Sequence, residues 1–203
     1  MEGEVRVSCG SMCRFTVDGS YLLLLNRNRR RKGIYELSPV GGAIQVNDLQ
    51  TLAQFGARLE TPGTHDLRLL MKSEHLEAFG VWFRKRKERE LDPFREIREE
   101  LVDESELLAT LRPEDLRMDF VKMLQDSKAT MRQGMTGIFT HYFFEVFEVK
   151  ARSADILLRL KNPPINSGAV LLDEATARKG EALKLRFDGE ERTVGLNTTY
   201  LFT

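Results

Sequence analysis

Arg95-Glu96-Ile97-Arg98-Glu99-Glu100-Leu101, taken together with Pro39-Val40-Gly41-Gly42 far upstream, is the stretch from which the fold of this chain can be argued. In a helix Glu96, Glu99 and Glu100 fall at i, i+3 and i+4, so three carboxylates share one face while Ile97 and Leu101 point to the other. Like charges at that spacing repel one another. A solvated surface tolerates such a cluster, and a hard divalent cation is attracted by it, because Mg²⁺ prefers carboxylate and phosphate oxygens. Asp92-Pro93 supplies a start for this helix, since Asp can cap it and Pro suits the first turn. The pattern predicts a helix running to about Leu108.

Working outward, Arg14 to Val17 and Tyr21 to Asn26 read as a β-hairpin around Asp18-Gly19, a pair that readily takes the positive φ angles of a tight turn. Arg27-Asn28-Arg29-Arg30-Arg31-Lys32-Gly33 follows as a dense cationic loop, then Tyr35 to Val40 as a short strand entering Gly41-Gly42, where the missing side chains let a ligand approach the backbone. Residues 43–91 stand as an insertion before the Glu-rich helix. Within it Leu49 to Phe55 is ambiguous, Thr61-Pro62-Gly63 is a turn, and Asp66 to Met71 is a strand. Ser73 reads as the N-cap of a helix bearing Leu76, Phe79, Trp82 and Phe83. A further helix is expected after Pro113, with Leu116, Phe120, Val121 and Leu124 as its apolar stripe. Met135 to Val149 passes from loop into a long central strand, and the remainder reads as a loop at Asn162-Pro163-Pro164, a short helix at Asp173 to Ala177 and a hairpin at Asp188-Gly189. The order predicts an α/β chain: a mixed β-sheet flanked by helices, an α/β/α sandwich.

A chain of 203 residues with 41% hydrophobic content can bury one substantial core, and residues 1–203 are expected to form a single domain. The 31 basic and 31 acidic residues cancel, which disfavours a global field for nucleic acid or anionic membrane. Cys9 and Cys13 lack the partners of a zinc site and read as free thiols of a cytosolic chain. Tyr21 to Leu25, the longest aliphatic run, falls far short of the ~20 residues that span a bilayer, so a cytoplasmic location is expected for the chain as given. His141 reads as structural, and His65 and His75 have no metal-ligand spacing. Phe139, Phe143, Phe144 and Phe147 are core residues or include a base-stacking one; the pattern leaves both readings open.

The order Arg-Glu-apolar-X-Glu-Glu-apolar at Arg95 to Leu101, with Gly41-Gly42 after a strand, resembles the core of the Nudix box, the metal-binding helix of hydrolases acting on nucleoside diphosphate derivatives. Here Arg95 lies 53 positions beyond Gly42, a much wider gap than that box usually has, and Asp103-Glu104 stands where a glycine is expected. The hairpin with Tyr21-Leu22-Leu23-Leu24, the segment Glu36 to Gly42, Asp66-Leu67-Arg68 in the insertion and Asp92-Pro93-Phe94-Arg95-Glu96 together look like the SMODS-associated Nudix domain of bacterial CBASS anti-phage systems, a CD-NTase-associated Nudix effector. The resemblance implies a Nudix-type fold, with Glu99 and Glu100 as the catalytic pair and Glu96, Glu99 and Glu100 as Mg²⁺ ligands. It also implies that Arg95 orients a glutamate or the loop by an ion pair.

Two functions follow from that resemblance. One is a sensor of a nucleotide second messenger such as a cyclic oligonucleotide. Arg27, Arg29, Arg30, Gly41, Gly42 and Arg95 would form its ligand-binding edge, because guanidinium groups hold phosphate oxygens bidentately. The expected partners are a cyclic-oligonucleotide synthase, a further copy of the chain, and a membrane-spanning segment outside this sequence that would place it at the inner membrane. The alternative is a Mg²⁺-dependent Nudix hydrolase of nucleoside diphosphate derivatives. The altered spacing favours the sensor, and the retained glutamates keep the hydrolase open.

Overall fold

Asp18 and Gly19 adopt positive φ angles of 48° and 81° in the computed structural model, joining β1 (Glu4–Val17) to β2 (Ser20–Leu25) as a tight hairpin with Val17 opposite Ser20. The structure describes residues 3–130, 132, 134–164 and 167–203. A short helix α1 (Arg27–Arg30), β3 (Glu36–Pro39) and a 3₁₀ helix at Leu49–Phe55 come next. They lead to β4 (Arg58–Leu59), β5 (Arg68–Lys72), α2 (Leu76–Arg84) and α3 (Phe94–Arg98), which continues as a π-helix over Glu99–Glu104. Then come β6 (Leu116–Ala129), β7 (Phe139–Ala151), α4 (Ala154–Lys161), β8 (Ala169–Leu172), α5 (Glu174–Lys179), β9 (Leu183–Phe187), β10 (Glu190–Leu196) and α6 (Thr199–Phe202).

Two compact units form along this path. The first comprises Met1–Ser11, Gly42–Pro93 and Lys122–Glu145; the second comprises Met12–Gly41, Phe94–Val121 and Val146–Thr203. The second unit explains why β2 reads as an unbroken apolar run. Leu22 and Leu24 pack on one side with Ile97 and Leu101 of the Glu-rich helix and Ile156 and Leu160 of α4, while Tyr21, Leu23 and Leu25 pack on the other with Ala177 of α5 and Leu201 of α6. Helices thus cover both faces. In-plane, β2 runs antiparallel to β3 and to β8, and β3 runs parallel to β10, with Glu36 opposite Gly195. The sheet is therefore mixed, as expected of the α/β/α arrangement.

In the first unit, Glu4–Ser8 of β1 pair antiparallel with β5, and β4 pairs with the other edge of β5. The amphipathic α2 buries Phe79, Trp82 and Phe83 against Val7, Leu52, Phe55, Leu69 and Phe143. Beside this core lies a charge pair with almost no exposed surface: Arg89 Nη2 is 2.7 Å from Glu145 Oε1, and the two side chains are 0% and 1% exposed. Arg89 also donates to the carbonyl oxygens of Phe83 and Glu90, each at 2.8 Å, and stacks 3.9 Å above the Phe83 ring. These bonds compensate the desolvation of both charges, so the insertion is tied to β7 at a point where either partner alone would be strongly unfavourable.

Several expectations change here. The segment after Pro113 is not a helix but β6, a 14-residue strand paired with β7. Of its supposed stripe only Leu116 is buried, whereas Phe120 and Val121 are 41% and 39% exposed; pairing with a strand distant in sequence outweighs local periodicity. β7 does have neighbours on both edges, β6 and β1. The Glu-rich helix stops at Glu104 rather than near Leu108, because the Ser105 N–H and hydroxyl both donate to the Glu100 carbonyl, at 2.9 and 2.6 Å. Ser73 opens a 3₁₀ turn, Ser73–His75, ahead of α2 and is not its N-cap. The cationic loop contains a helical turn, α1, capped by Asn26, whose side chain accepts the Arg29 N–H at 3.1 Å. Cys9 and Cys13 are free and buried, as expected.

Glu145→Ala leaves Arg89 charged and unpaired in the interior, and should lower the unfolding free energy by about 3–5 kcal/mol. Urea unfolding of the variant beside the parent protein measures that loss.

Candidate functional site

Ile97 and Leu101, both 0% exposed, anchor the Glu-rich helix to the core. Glu96, Glu99 and Glu100 do not share one environment. Arg95 Nη1 lies 2.8 Å from Glu96 Oε1 and 3.1 Å from Glu99 Oε2, so one guanidinium serves two carboxylates on its own helix. Glu100 turns elsewhere: its Oε2 accepts the backbone N–H of Gly41 at 2.8 Å.

Gly41 sits at φ 133°, a conformation that a residue with a Cβ adopts only under strain, and this orientation presents its N–H to the helix. Part of Glu100 reaches the surface, but its carboxyl is largely surrounded by protein. That desolvation pushes its pKa up to about 8, with the Gly41 N–H pulling the other way and the charges of Glu96, Glu104 and Glu99 adding to the rise. Cys13, buried on β1, reports the same surroundings: burial, then the charges of Glu100 and Glu96, pushes its thiol well above the usual value.

The structure brings Gly41, Arg95, Glu96, Glu99 and Glu100 into one unit and links Gly41 to Glu100 directly. Gly42 belongs to the other unit, where its carbonyl accepts the Ser11 N–H at 2.8 Å. The arginine cluster stands apart from Gly41, which corrects the expectation that it lies close to the glycine edge. α1 connects the end of β2 to the start of β3, whereas Gly41 follows the end of β3, roughly 15 Å away along an extended backbone. There Arg29 pairs with Glu36 at 3.0 Å, Arg30 pairs with Asp188, and Arg27, Arg30 and Arg31 border a depression of 340 Å³.

Among the described residues no group of three or more His, Cys, Asp or Glu side chains is arranged to hold a metal ion. The three glutamates, as placed, do not fit Mg²⁺: two are held by Arg95, and the third is a hydrogen-bonded group whose raised pKa favours the neutral acid. Sequence reasoning missed the Gly41–Glu100 bond, which no local pattern encodes. It also missed the Arg89–Glu145 pair, for which a signal existed, since a lone Glu within the apolar run Phe143-Phe144-Glu145-Val146-Phe147 must find a partner if buried.

The SMODS-associated NUDIX domain family matches residues 4–202, which spans both units and includes the Gly41–Glu100 latch. This chain belongs to that family. Its mixed sheet with flanking helices is consistent with the α/β Nudix-type fold. Membership in a SMODS-associated family ties the chain in general terms to a nucleotide synthase and a nucleotide ligand. No curated protein and no solved structure matches it. Among the described residues no helix is long and apolar enough to cross a membrane.

Two outcomes follow for the Nudix helix. Gly41→Ala forces a Cβ into the positive-φ position and should cost about 1–3 kcal/mol of stability, measured by chemical unfolding. Glu100 binds a proton more tightly folded than unfolded, so its contribution is fully present below pH 4.5 and is lost as pH rises through about 8. Glu100→Gln, which is neutral throughout and can still accept the Gly41 N–H, should therefore flatten the fall in melting temperature between pH 6 and 9 in chelator-containing buffer.

Proposed function

We propose that the chain is the nucleotide-recognition domain of a bacterial anti-phage effector of the CBASS type, sensing a cyclic oligonucleotide made by an associated synthase. Family membership supports the nucleotide, and one structural observation favours recognition over cleavage. The carboxylates of the Nudix helix are engaged by Arg95 and by the Gly41 N–H, an arrangement suited to holding a ligand edge rather than to gathering metal ions. Arg95 keeps donors in a fixed fork, and exchange of a carboxylate for a phosphate oxygen on that fork would couple ligand binding to movement of Glu96 or Glu99. The glycine conformation at Gly41 leaves the backbone beside this helix unshielded by a side chain. The arginines of α1 serve in this reading as a separate anion-attracting surface. Output passes to a second copy of the chain or to a membrane-spanning segment outside this sequence.

The retained glutamates carry the second reading, a Mg²⁺-dependent hydrolase of nucleoside diphosphate derivatives. Titration of the purified chain with cyclic dinucleotides, cyclic trinucleotides and nucleoside diphosphate sugars, with and without Mg²⁺, separates the two when heat of binding and chromatographed products are followed together. Saturable binding of a cyclic nucleotide without products is expected, weakened about tenfold or more by Arg95→Ala, the loss of a charge-assisted hydrogen bond. Metal-dependent products abolished by Glu99→Gln with Glu100→Gln would establish the hydrolase instead, and absence of both binding and turnover would defeat both readings.

A further inference from the structure

Arg6 is a charged side chain, 4% exposed, at the centre of the β1 segment that pairs with β5. Val5 and Val7 on either side of it pack with the α2 side chains, so strand alternation places Arg6 on the opposite face of the sheet. Neighbouring strands add to that face within the first unit. Leu59 packs toward α2, and Glu60 follows it on the other side, its N–H donating to the Arg68 carbonyl oxygen at 2.7 Å. On β7, which borders β1, Phe143 packs with α2 while Tyr142 and Phe144 point away from it, their rings stacked with centroids 5.3 Å apart. Gly10 makes room for that pair against β1: a Cβ there would lie 3.0 Å from the Gly42 carbonyl oxygen and 3.4 Å from the Phe144 ring.

One carboxylate on this face serves two guanidiniums. Arg6 Nε and Nη2 donate to Glu60 Oε2 at 3.0 and 2.8 Å, and Arg132 pairs with Glu60 Oε1. The Arg6 and Glu60 side chains are 5% and 7% exposed, whereas that of Arg132 is 51% exposed. Two positive charges thus meet one negative charge where water is largely excluded, and the surplus charge is costly until an anion offsets it. Desolvation lowers the pKa of both guanidiniums; the charge of Arg6 adds to the fall at Arg132, and Tyr142 acts the other way on both. Among the described residues neither Arg6 Nη1 nor the Tyr142 hydroxyl has a hydrogen-bond partner, so donors are left over beside the surplus charge.

We infer that Arg6, Arg132 and Tyr142 bind a dianionic phosphoryl group, and that Glu60 holds the place of that group in its absence. Charge balance selects the ligand. A terminal phosphoryl group carries about −1.5 to −2 at neutral pH and so matches two guanidiniums, which a single carboxylate does not. The planar N–H forks suit its oxygens bidentately, and the phenol hydroxyl supplies a further donor. Arg132, the exposed arm, meets the ligand first, and Glu60 moves toward solvent in exchange. A phosphodiester linkage carries a single charge, as Glu60 does, and gains nothing by the exchange. The inference goes beyond recognition at the Nudix helix and uses none of its residues, so each can fail while the other stands.

Isothermal titration of the full chain with inorganic phosphate, phosphoserine and AMP, in chloride buffer of constant ionic strength at about pH 7.5, tests it. Saturable binding of all three is expected, with no displacement of phosphate by an excess of a cyclic dinucleotide. Glu60→Gln keeps an acceptor for Arg6 but removes the competing charge, and should tighten phosphate binding about tenfold or more. Arg132→Met, at an exposed position, should weaken it about tenfold or more, while Arg95→Ala leaves it unchanged. Circular dichroism checks the fold, and Arg132→Met supplies the reading should Glu60→Gln perturb it. Equal affinity for phosphate and AMP assigns recognition to the phosphoryl group alone, and tighter binding of AMP assigns the ligand to nucleotides; either supports the inference. Absence of saturable phosphate binding, binding no tighter in folded Glu60→Gln, binding unaffected by Arg132→Met, or displacement by the cyclic dinucleotide would overturn it. Phosphate binding lost in Arg95→Ala but kept in Arg132→Met would also overturn it and leave recognition at the Nudix helix standing.

Discussion

The hydrogen bond from the Gly41 N–H to Glu100 is the constraint on which the Nudix helix depends. Burial of Ile97 and Leu101 sets which side of that helix meets the core, but a helix held only by apolar contacts retains freedom to slide and rotate. The Gly41 bond removes that freedom by tying one carboxyl to the end of the glycine strand at 2.8 Å. With Glu100 occupied in this way, Glu96 and Glu99 are left to Arg95, and the electrostatics of the whole surface follow from a division of three carboxylates between one backbone donor and one guanidinium.

The change from α- to π-helix at Glu99 belongs to the same arrangement. The Ser105 N–H reaches back five residues to the Glu100 carbonyl, the hydrogen bond of a π turn, and such turns recur at functional sites because they re-aim side chains that a regular helix would stack. Glu99 and Glu100 sit where that change begins. Three glutamates equivalent by spacing therefore become different by environment: Glu96 and Glu99 share a cation, and Glu100 is a desolvated, hydrogen-bonded acid.

The insertion of residues 43–91 is part of a unit with its own apolar core and its own buried ion pair. Arg89 and Glu145 are 56 positions apart, and their pairing, with donation by Arg89 to backbone carbonyls of Phe83 and Glu90, joins the chain after α2 to β7.

Short-range physics was legible in the sequence. The Asp18-Gly19 and Asp188-Gly189 turns, the two-sided apolar strand β2, the start of the Nudix helix and its apolar face at Ile97 and Leu101 all follow from φ preferences and side-chain period, which act over a few residues. The Nudix pattern at Arg95 to Leu101, with its distant Gly41, identified the fold for the same reason. Tertiary structure decided what depends on partners distant along the chain. It made β6 a strand although its apolar spacing suits a helix, because β7 supplied a ladder of backbone hydrogen bonds that periodicity cannot register. It separated the arginines of α1 from Gly41 by the length of β3, and it gave Glu100 a backbone donor 59 positions away. Which carboxylate meets a cation and which meets an N–H is set by distances in space, and a sequence specifies those only through the fold.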